Sequence, residues 1–274
     1  SYVANSAAVG QISFSGATSM YSAMQHDAYG RLTNISSTAS QTLSRFGYSY
    51  NTAGQRDRVD ISGGNYAFSS YWLYGYDPLG QVTGGARYFP NNTPVAGQQF
   101  GYLFDEIGNR KQTSVAGGST GLEPRYSRYT VNNLNQYTQR ITPSYTSVMG
   151  TAHPDALVTL VDSAGNSARA LRQEDYFYGE LPVTNYLGPV SLSITNYAVL
   201  DTETEQLITN SSGSVLIPPT PQAYSHDANG NLLSDGLWVR TWNAENRMTR
   251  VESGMGIPAH PRKREDWTYL PDGR

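Results

Sequence analysis

The stretch HDANGNLLSDGLWVRTWNAENRM, residues 226–248, contains two copies of one short unit and decides the fold class. Each copy has an aromatic residue, then Asp or Asn, two variable residues, Gly or Asn, and a polar residue. A unit that recurs in this way indicates a repeat architecture, in which neighbouring copies stack on one another. The fold of the chain therefore depends on how far this unit extends.

Eight copies of the unit occur along the chain. They read HDAYGR at 26–31, YSYNTAGQ at 48–55, YGYDPLGQ at 74–81, YLFDEIGN at 102–109, YTVNNLNQ at 129–136, YSHDANGN at 224–231, TWNAENR at 241–247 and WTYLPDGR at 267–274. Neighbouring copies in the first half are 24 to 28 residues apart, a spacing typical of stacked repeats. Aromatic residues spaced by two, such as Tyr48 and Tyr50, project from the same strand face. Successive units are therefore predicted to stack these rings into ladders.

The Asp, Asn and Gly residues of the unit predict a tight turn between two strands. An Asp or Asn side chain accepts backbone N–H bonds within such a turn, and Gly or Asn tolerates the positive φ at its end. The predicted turn residues are Asp27, Gly30, Asn51, Gly54, Asp77, Gly80, Asp105, Gly108, Asn132, Asn135, Asp227, Gly230, Asn243 and Asn246. Because these residues recur at the repeat spacing, we interpret them as structural and predict no catalytic residue.

Composition predicts an all-β protein and narrows the classes of partner. The chain has 274 residues, of which 15% are charged and 21 are Tyr, a β-rich and turn-rich composition. The net charge is −3 with Lys and Arg scattered, so we expect no nucleic-acid partner. There is no Cys, which excludes disulfides and thiolate metal sites, and no apolar run is long enough to predict a membrane span.

The repeat pattern stops between residues 142 and 222, and a segment of different character begins. Its run GTAHPDALVTLVDSAGNSARA, residues 150–170, alternates apolar and polar residues and turns between Asp162 and Asn166, as a half-buried hairpin would. The predicted organisation is therefore repeats at 1–141, a β-rich insertion at 142–222 and repeats at 223–274. The insertion is predicted to be a small β-sandwich, with an elaborated loop as the alternative.

The unit resembles the signature of YD repeats, also called RHS repeats, most closely in HDAYGRL and in residues 226–248. In that family, arrays of the unit form a continuous β-sheet that spirals into a hollow shell, as in polymorphic toxins, insecticidal toxin complexes and teneurins. The resemblance covers roughly two-thirds of the chain and implies a curved antiparallel sheet of hairpins. GTAHPDALVT is similar to the first half of bacterial immunoglobulin-like modules of surface proteins.

The RHS family also has a self-cleavage activity, whose C-terminal motif resembles P-x-x-x-x-D-P-x-G-L. The tetrapeptide DPLG at 77–80 lacks the final Leu and lies early in the array, so no protease residue is assigned to it. The run GGST at 117–120 lacks the strand-turn-helix context of a G-x-S-x-G serine nucleophile, and no loop matches a nucleotide-binding fingerprint. We therefore predict neither an enzyme nor a cofactor.

Two sets of side chains are of the residue types that bind metal ions. His26 and His226 occupy the aromatic position of the repeat and are interpreted as packing residues, while His153 and His260 have no partner at metal-ligand spacing. Asp201, Glu203 and Glu205 would share one face of an extended chain and could offer oxygen ligands to Ca²⁺, but such alternation is more typical of a solvated strand. The sequence predicts no metal site.

The leading functional prediction is a non-catalytic segment of an RHS shell that encloses or presents a toxin or other C-terminal cargo. The chain begins and ends within repeat units, so we expect a piece of a longer secreted or cell-surface protein. The alternative is a surface adhesive that binds glycan through the insertion, or a module that forms homo-oligomers or filaments through exposed strand edges. An enzyme with a site built from distant residues is the third class.

Overall fold

The structure is a computed structural model, and it describes residues 1–4, 6–16, 19–118, 120, 123–257 and 262–270. These residues form β-strands and turns without any helix, and the sheets are antiparallel. The predicted all-β class is confirmed. Among the described residues, none belongs to a helix long and apolar enough to cross a lipid bilayer.

The strands are numbered in chain order. The first are β1 Gln11–Phe14, β2 Met20–His26, β3 Leu32–Thr38, β4 Thr42–Tyr50, β5 Arg56–Ser62, β6 Ser70–Tyr76, β7 Val82–Tyr88 and β8 Pro94–Phe104. They are followed by β9 Arg110–Gly117, β10 Glu123–Val131, β11 Tyr137–Ile141, β12 Tyr145–Thr151, β13 Leu157–Asp162, β14 Ser167–Arg169, β15 Leu171–Gln173 and β16 Tyr176–Pro182. The last are β17 Val190–Asp201, β18 Gln206–Ile217, β19 Gln222–Ala223, β20 Ser225–His226, β21 Leu232–Ser234, β22 Trp238–Trp242, β23 Met248–Ser253 and β24 Arg264–Asp266.

The chain divides into two compact units. The first comprises Ser1–Tyr102 and Val115–Pro124, and in it strands β1 to β7 each pair with the next strand in sequence. Rings from successive strands stack, as where Tyr71 of β6 lies 5.3 Å from Tyr88 of β7. A chain of hairpins joined in sequence order builds this unit, and aromatic contacts tie its neighbouring strands together.

The second unit comprises Leu103–Ser114 and Arg125–Arg274. Within it, β11 pairs with β10 on one side and with β19 on the other, where Gln139 faces Ala223 and Arg140 faces Gln222. Strands β20 to β24 form a further antiparallel sheet in which each strand pairs with the next one. The pairing of β11 with β19 joins repeat strands from either side of the insertion.

Seven strands between residues 145 and 217 form what we call the two-sheet module. One sheet has the order β12-β16-β15 and the other has the order β14-β13-β17-β18. Their shared core contains Val158, Leu160, Ala170, Phe177, Leu181, Val183, Leu192, Ile194 and Ile217. Gly179 of β16 lies so close to Leu160 that a Cβ atom on Gly179 would stand 2.5 Å from Leu160 Cδ1. The absence of a side chain at Gly179 therefore permits close packing of the two sheets.

Candidate functional site

Asp27 shows the geometry of the repeated turn. Its backbone N–H donates to the carbonyl of Arg31 at 2.9 Å, and the N–H of Gly30 donates to the carbonyl of Asp27 at 3.0 Å. Asp27 Oδ1 accepts from the backbone N–H groups of Tyr29 and Arg31, both at 2.9 Å, while Oδ2 accepts from Arg31 Nε at 2.7 Å. This is a three-residue hairpin loop whose last residue, Gly30, has a φ of 77°. One carboxylate therefore organises the whole turn.

The other predicted Asp and Asn turn residues make the same bonds. In each, Oδ1 accepts from the backbone N–H groups two and four residues later, as at Asn51, Asp77, Asp105, Asn132, Asp227 and Asn243. The residue at the end of each loop has a positive φ, including the two asparagines that stand in place of glycine. The φ values are 78° at Gly54, 83° at Gly80, 90° at Gly108, 61° at Asn135, 90° at Gly230 and 59° at Asn246.

Successive turns also contact one another, an arrangement we call the turn stack. The side-chain amide of Gln55 donates to the carbonyl of Gly80 at 3.4 Å, and Asn231 Nδ2 donates to Asn246 Oδ1 at 2.8 Å. In both cases the residue after one loop bonds to the positive-φ residue of the next loop. In these two pairs of repeats, the polar residue that closes one unit is therefore a link to the following unit.

The turn stack continues across the insertion. Gln136, which follows the loop at 132–135, lies against the next repeat's Gly230, where a Cβ atom would stand 3.2 Å from Gln136 Nε2. The N–H of Tyr224 donates to the carbonyl of Thr138 at 3.0 Å, in line with the β11 and β19 pairing. The repeats on either side of the insertion are consequently neighbours in space.

Aromatic side chains make a second set of links between repeats. In four repeats, the aromatic residue just before the turn donates to the backbone carbonyl five residues after the Asp or Asn of the preceding turn. The donors and acceptors are Tyr50 Oη to Leu32 at 2.6 Å, Tyr76 Oη to Arg56 at 2.6 Å, Trp242 Nε1 to Leu232 at 3.0 Å and Tyr269 Oη to Met248 at 2.7 Å. In these four turns, the ring before the turn thus ties its strand to the preceding unit.

We expect Tyr50→Phe to lower the free energy of unfolding by about 0.5–1.5 kcal/mol, because the carbonyl of Leu32 loses its partner while the ring is retained. Urea denaturation of the variant and the parent measures the difference. Tyr29→Phe is the matched control, since the Tyr29 side chain is exposed at the tip of its loop. An equal effect from both substitutions would contradict the assigned role of the Tyr50 hydroxyl.

Two further turns have the same backbone pattern, the turn predicted between Asp162 and Asn166 and an unpredicted turn at residues 89–93. Asp162, inside the two-sheet module, accepts from the N–H groups of Ala164 and Asn166 at 2.9 Å, as the repeat turns do. At residues 89–93 the loop closes through the N–H of Phe89 and the carbonyl of Thr93, with Asn92 at a φ of 68°. The sequence signal for this second turn was Pro90 followed by Asn91 and Asn92. It differs from the repeat signal because Phe89 occupies the first position, where the repeat turns have Asp or Asn.

Hydrogen bonding stabilises the ionised form of the turn carboxylates. The Asn109 side-chain amide, which donates to Asp105 Oδ2 at 2.9 Å, lowers the pKa of Asp105, and backbone N–H groups add to this against a smaller opposing effect of desolvation. The Asn231 side chain lowers the pKa of Asp227 in the same way. A carboxylate whose pKa is lowered on folding stabilises the fold above its unfolded pKa, and that stability is lost as the pH falls through its folded pKa.

The chain is therefore expected to lose stability on acidification below about pH 4, near the pKa of an Asp in an unfolded chain. In the double variant Asp105→Asn and Asp227→Asn this acid dependence should be weaker, while the fold remains, because Asn51 already serves as the same acceptor in the array. Urea midpoints measured between pH 7 and pH 3 test the expectation. An unchanged acid dependence in the double variant would show that these two carboxylates do not cause it.

The side chains of metal-binding type are dispersed. Asp201, Glu203 and Glu205 surround the hairpin loop between β17 and β18 and do not lie along one strand face, so the extended arrangement considered for Ca²⁺ is wrong. His26 and His226 precede their turns, and His260 lies outside the described residues, as do residues 271–274 of the last repeat turn. In the described ranges, no three His, Asp or Glu side chains are grouped closely enough to hold a metal ion.

A cleft of about 430 Å³ lies between the two sheets of the module. Its lining residues are Met149, Gly150, Thr151, Ala152, His153, Ala156, Val158, Phe177, Asn196, Ala198, Leu200, Leu207, Thr209, Asn210 and Ser211. The lining combines aliphatic, amide and hydroxyl groups, and its titratable member is His153. The cleft therefore has the chemistry to bind an uncharged group, and it offers no carboxylate pair for acid–base catalysis.

The cleft was not predicted from the sequence. It forms where β12 faces β17 and β18, whose residues are separated by about 50 positions along the chain. No protein-family model matches the sequence, and no curated protein matches it. The repeat geometry and the cleft are accordingly the observations from which a function can be proposed.

Proposed function

We propose that the chain is a non-catalytic structural segment of a YD-repeat shell that encloses or presents a toxin or other C-terminal cargo. The observation that carries this proposal is the contact of Gln136 with Gly230, since it keeps the array continuous where the sequence is interrupted. A wall that excludes solvent from a cargo requires an unbroken sheet. The insertion at 142–222 would then project from the wall as a separate module.

The use of the repeated polar residues supports an architectural role. The carboxylate oxygens of Asp27, Asp105 and Asp227 accept hydrogen bonds within their own turns, so these recurring carboxylates have a structural role. The tyrosine hydroxyls of Tyr50 and Tyr76 are likewise committed to neighbouring backbone. We infer that the partners of this chain are the rest of a longer secreted or cell-surface protein and its cargo, with no nucleic acid among them.

Cryo-electron microscopy of the native parent protein, together with its intact mass, tests the proposal. The expected result is a longer chain whose repeats close into a shell around additional density. If this chain is instead found in an open sheet or a filament without enclosed density, the shell proposal is wrong. The intact mass establishes whether a C-terminal segment accompanies the repeats in the same sample.

A surface adhesive that binds glycan is the second candidate. The observation in its favour is Tyr186, which lies in the two-sheet module with 68% of its surface exposed and so presents a ring for stacking on a sugar. Binding to a glycan array, lost in Tyr186→Ala and kept in Tyr186→Phe, would support this candidate. Equal binding by both variants would exclude this ring as the contact.

A further inference from the structure

The larger sheet of the two-sheet module has an inner face that is partly uncovered. The larger sheet has four strands and the smaller sheet has three, and β18 is an edge strand of the larger sheet. Leu207 and Thr209 line the cleft from β18, and Leu207 remains 43% exposed although it faces the interior side. The apolar and hydroxyl surface of β18 in this region therefore lacks a strand packed against it among the described residues.

The wall of the cleft opposite β18 is an edge as well. Strand β12 pairs with β16 through residues 145–151 and 176–182, and it ends the order of the smaller sheet. Gly150 and Thr151 of β12 line the cleft directly. One additional strand beside β12 would lie over β18, because the cleft is the space between the two.

Asn196 supplies an independent indication of an occupant. It projects from β17 into the cleft, where its side-chain Oδ1 is buried and has no hydrogen-bond partner. A buried acceptor of this kind is destabilising when it is unsatisfied. A donor that enters the cleft, such as a backbone N–H, would remove this destabilisation.

We propose that the cleft binds one extended segment of a partner polypeptide, whose residues inside the cleft are uncharged, and which adds to β12 as a fourth strand of the smaller sheet and covers β18. This mode of recognition takes its affinity from main-chain hydrogen bonds and its specificity from alternate side chains. A small neutral molecule would fill the space and satisfy Asn196, but it would leave the edge of β12 and the face of β18 incomplete. The cleft aromatic, Phe177, is only 6% exposed and offers no open ring for a sugar.

Charge near the cleft indicates which segments fit best. The hairpin loop that carries Asp201, Glu203 and Glu205 directly precedes β18, so one end of the cleft is acidic, while the lining itself holds no Asp, Glu, Lys or Arg. A segment of alternating small apolar and hydroxyl side chains with a Lys at the end nearest this loop therefore complements the site. Leu207, Thr209 and Ser211 line the cleft along five positions of β18, so we expect about five residues of the segment, roughly 17 Å of strand, to be in contact.

Fluorescence anisotropy with the full chain and a labelled peptide, Lys-Thr-Val-Thr-Val-Thr-Val-Lys, tests the proposal. We expect saturable binding. Of the two peptides in which alternate backbone nitrogens are methylated, the one methylated on the edge that bonds to β12 should not bind. Thr209→Phe, which fills the cleft, should weaken binding at least tenfold. The matched control is Ile208→Phe, at the neighbouring residue whose side chain is exposed and does not line the cleft, and it should bind as the parent does.

Asn196→Leu provides a second variant in case Thr209→Phe fails to fold, which circular dichroism and thermal melting would reveal. It removes the unpaired acceptor at similar volume and should weaken binding roughly three- to tenfold. The proposal would be overturned by no binding up to millimolar peptide, or by methylated peptides that both bind as the parent peptide does. Equal losses of binding in Thr209→Phe and Ile208→Phe would also overturn it. Concentration-dependent dimers that disappear in Thr209→Phe would assign the cleft to a second copy of the chain and would also overturn it. None of these outcomes bears on the shell, which is tested separately.

Discussion

Gly179→Ala is expected to lower the free energy of unfolding of the two-sheet module by about 1–3 kcal/mol, the usual cost of forcing an extra group into a packed core. The new methyl group would stand 2.5 Å from Leu160 Cδ1 and 3.5 Å from Ala170 Cα. Leu160 has no exposed surface, so its side chain cannot move outward to make room. Native-state hydrogen exchange at the amides of β13 and β16 measures the change in this module alone.

Gly213→Ala is the matched control for this substitution. Gly213 also lies in a strand of the module, but a Cβ atom there would have nothing within 4 Å. We expect its effect on the same amides to be within about 0.5 kcal/mol, as for other surface substitutions. Comparable losses in the two variants would mean that the close approach of β16 to Leu160 is not what stabilises the module.

Gly108→Val is expected to destabilise the second unit by about 1–3 kcal/mol, the cost of holding a β-branched residue at positive φ. Gly108 has a φ of 90°, and open space surrounds the position where its Cβ would lie. The loss would therefore come from backbone conformation and not from a clash. Urea denaturation followed by tryptophan fluorescence reports mainly on this unit, which contains Trp238, Trp242 and Trp267, whereas the first unit contains Trp72.

Gly108→Asn distinguishes backbone conformation from other effects at the same site. Asn135 and Asn246 hold the equivalent position in other turns, with φ values of 61° and 59°. The asparagine variant should thus retain most of the stability that the valine variant loses. If both variants lose the same amount, the positive φ is not the reason for glycine at this position.

Local features of this fold could be predicted from the sequence because they depend on short-range chemistry. The all-β class follows from the abundance of Tyr and turn residues, and it is confirmed. Asn135 and Asn246 replace glycine where φ is positive, which is the property that makes the two residue types interchangeable in the repeat. A turn without this signature, at 89–93, was overlooked because Phe89 stands where the other turns have Asp or Asn.

Long-range features could not be predicted in the same way. The bond between Tyr224 and Thr138 depends on the insertion folding back on itself, and no residue near either position encodes that event. The cleft likewise depends on the overhang of β18 beyond the smaller sheet, whereas the alternating pattern of β18 indicates only that it is a strand. Burial of Asn196 Oδ1 becomes visible only when β12 and β17 are placed opposite each other.

The continuity of the repeat array across the insertion is the central claim, and a cysteine cross-link tests it most directly. Gln139 of β11 faces Ala223 of β19, and the adjoining bond from Tyr224 to Thr138 makes 139 and 223 a non-hydrogen-bonded pair with close side chains. The chain has no native Cys, so Gln139→Cys with Ala223→Cys allows a single intramolecular disulfide. Mild oxidation of the folded protein, read by intact mass and peptide mapping, should give this disulfide in nearly all molecules. Free thiols under native conditions, with cross-linking only after denaturation, would contradict the account.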